Sequence, residues 1–186
     1  MIQEGFSKFF WGFLFILFDF RIQGVDVAPD VIGYILFMVG FKALAEHSVH
    51  FVKAKPYNIA MMIVSILSIY EQPAPTQVSG IHVDPLGLVI GFVSFVLILL
   101  VVYHLFMGIQ DMASKQQRFD IKQEAAQKWS YFLVFQIATL LLFVLIFIPP
   151  LFIVAVIGLI IAMIVLMVVL MRFMSKCGRE LQREGL

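Results

Sequence analysis

Asp19, Asp26, Asp30, His82 and Asp84 are the first side chains in this sequence whose types could do chemistry together. Carboxylate oxygens with one imidazole suit a hard cation such as calcium, magnesium or manganese. All five flank strongly apolar runs, where a bare charge is costly, so each must be hydrated, paired or put to use. Asp19 poses the question most sharply, because it follows a short apolar run and its nearest charged neighbour is Arg21. An ionisable residue at membrane depth points to function. A plainer reading covers Asp26 and Asp30 as hydrated turn residues, with Asp30 in the first turn of a helix complementing its dipole. No ligand spacing in the set is diagnostic. The plainer reading is preferred.

A second set lies in "EHSVHF", with Glu46, His47 and His50. His47 and His50 are three apart and share a helix face, and Glu46 and His50 are four apart. A metal or a proton relay is the chemistry such a group would support. It differs from H-E-x-x-H, whose histidines are four apart with the glutamate directly after the first. Hydration at a helix end accounts for these side chains more simply. His104 joins them only if its helix packs alongside. Met163, Met167, Met171 and Met174 form a stripe that ends near Cys177. Thioethers suit Cu(I), but methionine also fills apolar interfaces, and that is the expected role here. No nucleophile elbow, phosphate-binding glycine loop or zinc motif appears, and no cofactor is expected.

The elements that must position these residues are membrane helices. Of 186 residues, 62% are hydrophobic and 13% charged, with 20 phenylalanines. Soluble domains carry roughly 25% charged residues. The apolar excess falls in six runs: 6–20, 31–45, 57–70, 86–107, 129–148 and 151–171. The expected fold is a single all-α domain of six transmembrane helices. The first three runs are short, since fifteen helical residues rise about 22 Å against a hydrocarbon core of roughly 30 Å. They must extend through polar flanks, thin the bilayer or pack where water enters. The connection "GIQDMASKQQRFDIKQEAAQKW" is rich in helix formers and mixed charge, so it is expected to extend helices four and five or lie at the headgroups.

Charge orients this drawing. Lys8, Lys42, Lys53, Lys55, Lys115, Arg118, Lys122, Lys128, Arg172, Lys176, Arg179 and Arg183 fall on one side and only Arg21 on the other, although the net charge is just +1. Basic residues stay cytoplasmic, so both termini are expected there, in a multi-pass plasma-membrane protein. Lys8 before an apolar run resembles a signal peptide, but no A-x-A-like site follows, and the segment is read as retained. Arg172, Lys176, Arg179 and Arg183 share a helix face suited to anionic lipids. These charges are the positive-inside set, so nucleic-acid binding is not indicated. The single cysteine leaves no internal disulfide.

Gly87 and Gly91 in "GLVIG", and Gly158 and Ala162, have the small-xxx-small spacing that lets helices approach closely. "GVDVAP" at Gly24–Pro29 aligns with "GIHVDP" at Gly80–Pro85, and "IGY" at Ile32–Tyr34 is echoed by "IGF" at Ile90–Phe92. With Pro150 in "IPPLFIVAVIG", each returning helix begins at a proline. That pattern suggests three parallel hairpins, although proline suits any first helical turn.

The segment "DFRIQGVDVAPDVIGYILFMVG", Asp19–Gly40, resembles small polytopic membrane proteins of Gram-positive bacteria with no assigned function. The resemblance extends through "FKALAEHSVHFVKAKPYNIAMMIVSIL". It implies a bacterial plasma membrane and carries no catalytic or binding residue across. The leading functional expectation is a non-enzymatic accessory or regulatory membrane protein with a membrane-protein partner or a second copy. The alternative is a small transport or solute- or cation-binding subunit. A membrane-embedded enzyme using the outer aspartates or the Glu46 group ranks third.

Overall fold

The computed structural model describes residues 2–17, 21–22, 25–26, 30–69, 85–145 and 148–182. Its six α-helices are α1 (Ile2–Leu17), α2 (Asp30–Leu44), α3 (Val49–Ile69), α4 (Pro85–Lys115), α5 (Phe119–Leu145) and α6 (Pro149–Glu180). Between α1 and α2, β1 (Arg21–Ile22) and β2 (Val25–Asp26) pair antiparallel, with Arg21 opposite Asp26. The expected helix count and all-α class hold, with that small strand pair as an addition. Asp19, His82, Asp84 and Arg183, and most of the "GVDVAP" and "GIHVDP" repeat, lie outside the described residues.

The boundaries depart from the six apolar runs in one direction. α3 begins at Val49 rather than Tyr57, running through Pro56. Ser48 starts it by accepting a hydrogen bond at Oγ from the His50 backbone N–H, 3.3 Å away, which satisfies one of the helix's orphan donors. Phe51, Ala54, Asn58 and Met61 are buried at helical spacing, and this packing offsets the bond that Pro56 cannot make. α4 runs past Met107 to Lys115, and α5 starts at Phe119 rather than Trp129. The helix-forming connection does extend both helices. Its turn is a tight C-cap: Arg118 N bonds Ala113 O at 2.8 Å, Gln117 N bonds Ser114 O at 3.2 Å, and Gln117 sits at φ 56°. Glycine is the usual residue in that left-handed position.

Length and hydropathy together set the helices apart. Among the described residues, two helices are long and apolar enough to cross a membrane, Val89–Lys115 and Pro149–Glu180. α1 and α2, with 16 and 15 residues, rise only about 24 and 22 Å.

The helices close a ring in chain order: each packs on its successor, and α6 returns to α1. The α1–α2 seam is set by glycines. A methyl group on Gly12 would lie 2.4 Å from Phe37 and 3.0 Å from the Gly33 carbonyl, and one on Gly33 would lie 2.9 Å from the Gly12 carbonyl. The two backbones are therefore nearly in contact. Gly5 accommodates Leu44 and Gly40 accommodates Phe9 in the same seam. Phe9 packs against Phe6, Phe37, Phe41 and Phe51, with ring centroids 4.9–6.4 Å apart. Asn58, fully buried, donates from Nδ2 to the Tyr34 carbonyl at 2.8 Å, tying α3 to α2.

Burial is confined to one end of the ring. α4 has no buried residue before Val101, α5 none after Gln136 and α6 none before Leu166, among the described residues. The packed end holds the residue 45–48 turn, the residue 116–118 turn and both ends of the described chain, with Gly178 against Phe6 and Gln3.

Candidate functional site

Three cross-links stitch the packed end together. Lys115 Nζ donates to the His47 carbonyl at 2.8 Å, so α4 holds the α2–α3 turn. Gln116 Nε2 donates to the Leu181 carbonyl at 3.1 Å, and Arg118 pairs with Glu180, so the α4–α5 turn holds the end of α6. Arg118 also reaches Asp120 at 3.1 Å. The Arg118 bonds hold the Asp120 carboxyl below its ordinary range, and the two acids raise the guanidinium further. Each such pair is partly hydrated, so its contribution to stability is small.

Between α3 and α4 the structure brings together His50 and His104, with their Nδ1 atoms 3.2 Å apart. Since both contacting atoms are Nδ1, one ring donates and the other accepts. The pair therefore has room for one added proton at most, shared between the rings, before two N–H groups face each other. Tyr57 stacks parallel to His104 at 5.6 Å, and Tyr103 meets it edge-on at 5.2 Å. Trp129 continues this aromatic wall at 5.4 Å from Tyr103. Of the second set, only His50 takes part. Glu46 is exposed, and His47 contributes its backbone carbonyl to Lys115. No three His, Cys, Asp or Glu side chains converge among the described residues. The arrangement can hold or pass a proton, and it fixes α3 against α4.

The outer set is not assembled in the described residues. Asp26 is placed only through its backbone in β2, and Asp30 is the half-buried first residue of α2, in the helix-terminal place expected of it. The methionine stripe lies where an apolar filler belongs. Met167, Met171 and Met174 are buried in the core with Cys177, and Met163 packs against it.

The glycines behave differently from the small-residue expectation. Methyl groups on Gly91 and Gly158 would meet no atom within 4 Å, and Ala162 is exposed. Among the described residues, Gly91 and Gly158 bring no helices together. Gly87 stands at the start of α4. The close approaches belong to Gly5, Gly12, Gly33 and Gly40, with Gly108 against Phe51 and Gly178 against Phe6. Their signal was present, since Gly5/Gly12 and Gly33/Gly40 are each seven apart in adjoining segments.

On α6, Arg172 and Arg179 are exposed, while Lys176 Nζ donates to Glu124 at 2.7 Å. Lys128 lies 3.9 Å from the other oxygen of Glu124. These residues border a crevice between α5, α6 and α1, into which Phe10 and Phe173 also face. No family model, curated protein or solved structure matches the chain.

Proposed function

We propose that the chain is a six-span plasma-membrane protein with both termini cytoplasmic, acting without catalysis as an accessory or regulatory subunit of another membrane protein. One observation carries this reading: among the described residues the outer halves of α4, α5 and α6 have none buried, while Gly91 and Gly158 face open space there and Ala162 is exposed. Lipid tails solvate such apolar surfaces as well as protein does, so helices associate in a bilayer through close packing, and small residues permit it. Polar side chains on these stretches are already satisfied. Ser94 Oγ donates to the Ile90 carbonyl at 2.8 Å and Thr139 Oγ1 to the Phe135 carbonyl at 3.0 Å. The basic residues gather at the packed end, as positive-inside orientation requires.

Purification in a gentle detergent tests the reading. A membrane-protein partner, or a second copy, should co-purify at fixed stoichiometry and be lost from a Gly158→Phe variant. A strictly solitary protein contradicts it.

A second reading, a small solute- or cation-binding subunit, draws on the difference in helix length. The described α1 reaches Leu17, about two turns beyond Phe10, whereas α6 extends nearly seven turns beyond Phe173 to Pro149. A shorter helix pair beside longer neighbours is the arrangement such a reading requires. Saturable binding of a solute or divalent cation to purified protein would favour this reading over a docking subunit.

A further inference from the structure

We propose that the crevice between α5, α6 and α1 is a binding site for one anionic phospholipid, its phosphate held by Arg172 and Arg179 and its acyl chain lying over Phe10 and Phe173. This rests on the membrane reading above and adds a defined ligand site to it. The crevice has a volume of about 660 Å3, in the range of small-molecule sites. Its lining is divided by chemistry. Phe10, Val169 and Phe173 form the apolar part, and Lys128, Arg172, Lys176 and Arg179 the basic part.

The acids lining it are already engaged. Glu124 is bonded by Lys176 and faces Lys128, and Glu180 is paired with Arg118. Arg172 and Arg179 have no ion-pair partner among the described residues. Seven residues apart, they lie two turns from each other on one side of α6, with Lys176 between them. Arginine presents a planar fork matched to phosphate oxygens, and its bonds to an ionised acceptor are the stronger kind. A diffuse basic surface would attract anionic lipid without ordering it. Here the apolar floor beside two arginines with no ion-pair partner among the described residues supplies both halves of a lipid, and Lys176–Glu124 fixes the edge between them.

Native mass spectrometry of the full chain, released from detergent micelles doped with phosphatidylglycerol or phosphatidylcholine, tests this. One phosphatidylglycerol should remain bound while phosphatidylcholine dissociates. Arg172→Gln/Arg179→Gln should lower its occupancy about tenfold, equivalent to losing one charge-assisted bond. Arg172→Lys/Arg179→Lys should restore part of it. Lys42→Gln/Lys55→Gln, which removes the same charge elsewhere at this end, should leave binding unchanged. Equal loss in both neutralised variants, or no preference between the lipids, overturns the site. Equal retention of inorganic phosphate alone overturns the lipid assignment in favour of a soluble anion. A chain that stays monomeric in aqueous buffer without detergent would instead overturn the membrane reading itself, which separates the two failures.

Discussion

Phe9 and Phe92 are the same residue type in equally apolar helices, yet Phe9 is fully buried among four other phenyl rings and Phe92 is 66% exposed. What differs is the opposing surface. Around Phe9, Gly40 and its neighbours let α1 and α2 approach until glycine backbones nearly touch. Beside Phe92, a methyl group on Gly91 would meet no atom within 4 Å among the described residues. The packed end and the open end are thus built from similar residues, and a small residue alone does not create an interface. It needs a helix held opposite to it. At the packed end that is provided by short turns, the Lys115, Gln116 and Arg118 cross-links and the return of α6 to α1.

Substitutions made in matched pairs can break this comparison. The largest difference is expected for Phe9→Ala against Phe92→Ala. The first empties a packed aromatic site and should cost about 3–5 kcal/mol, the second within about 0.5 kcal/mol. Unfolding of both in one detergent would measure this, and equal losses would erase the distinction between the two ends.

Next comes overpacking. Gly12→Leu must push Phe37 and the α2 backbone away and should cost about 1–3 kcal/mol or more. Gly158→Leu has open space and should leave the isolated chain's melting temperature unchanged. A smaller gain is expected at the α4–α5 turn. Gln117→Gly relieves a left-handed conformation and should stabilise by up to about 1 kcal/mol. A lower melting temperature would mean that the cap is not formed as described.

The smallest effect is one of pH. Asp120 has its carboxyl lowered by Arg118. Its contribution is therefore present above the unfolded carboxylate value and disappears as pH falls through the folded one. A melting temperature that declines on acidification in the wild-type chain should decline less in Asp120→Asn. Identical profiles would show the exposed pair to be inert.

Much of this fold was legible in the sequence, and the exceptions have physical causes. Six helices followed from six apolar runs, and the extension of α4 and α5 beyond their apolar runs from the helix formers between them. The helix starts were missed where charge interrupted hydropathy. Val49–Pro56 carries His50, Lys53 and Lys55, so a hydropathy window excludes it, while the Ser48 cap and the face Phe51–Ala54–Asn58–Met61 still specify a helix. The spacing of Gly91 and of Gly158 within one segment does not reveal what stands opposite, and among the described residues nothing does. The matched pairs Gly5/Gly12 and Gly33/Gly40 do reveal it, because they occur in both segments of one hairpin. The His50–His104 contact spans 54 positions and depends on α3 packing on α4. His104 was visible only as a residue that would join if they did.

Photo-crosslinking in intact cells tests the central claim, that the packed end is completed by the chain itself and the open end by another protein. A photoreactive residue at Phe92 or Ile157 should give a discrete adduct the mass of this chain plus one further protein. The same residue at Val52, exposed beside the packed end, should give none. Lipid adducts alone from Phe92 and Ile157 would contradict the account, leaving the open halves as ordinary lipid-facing surface.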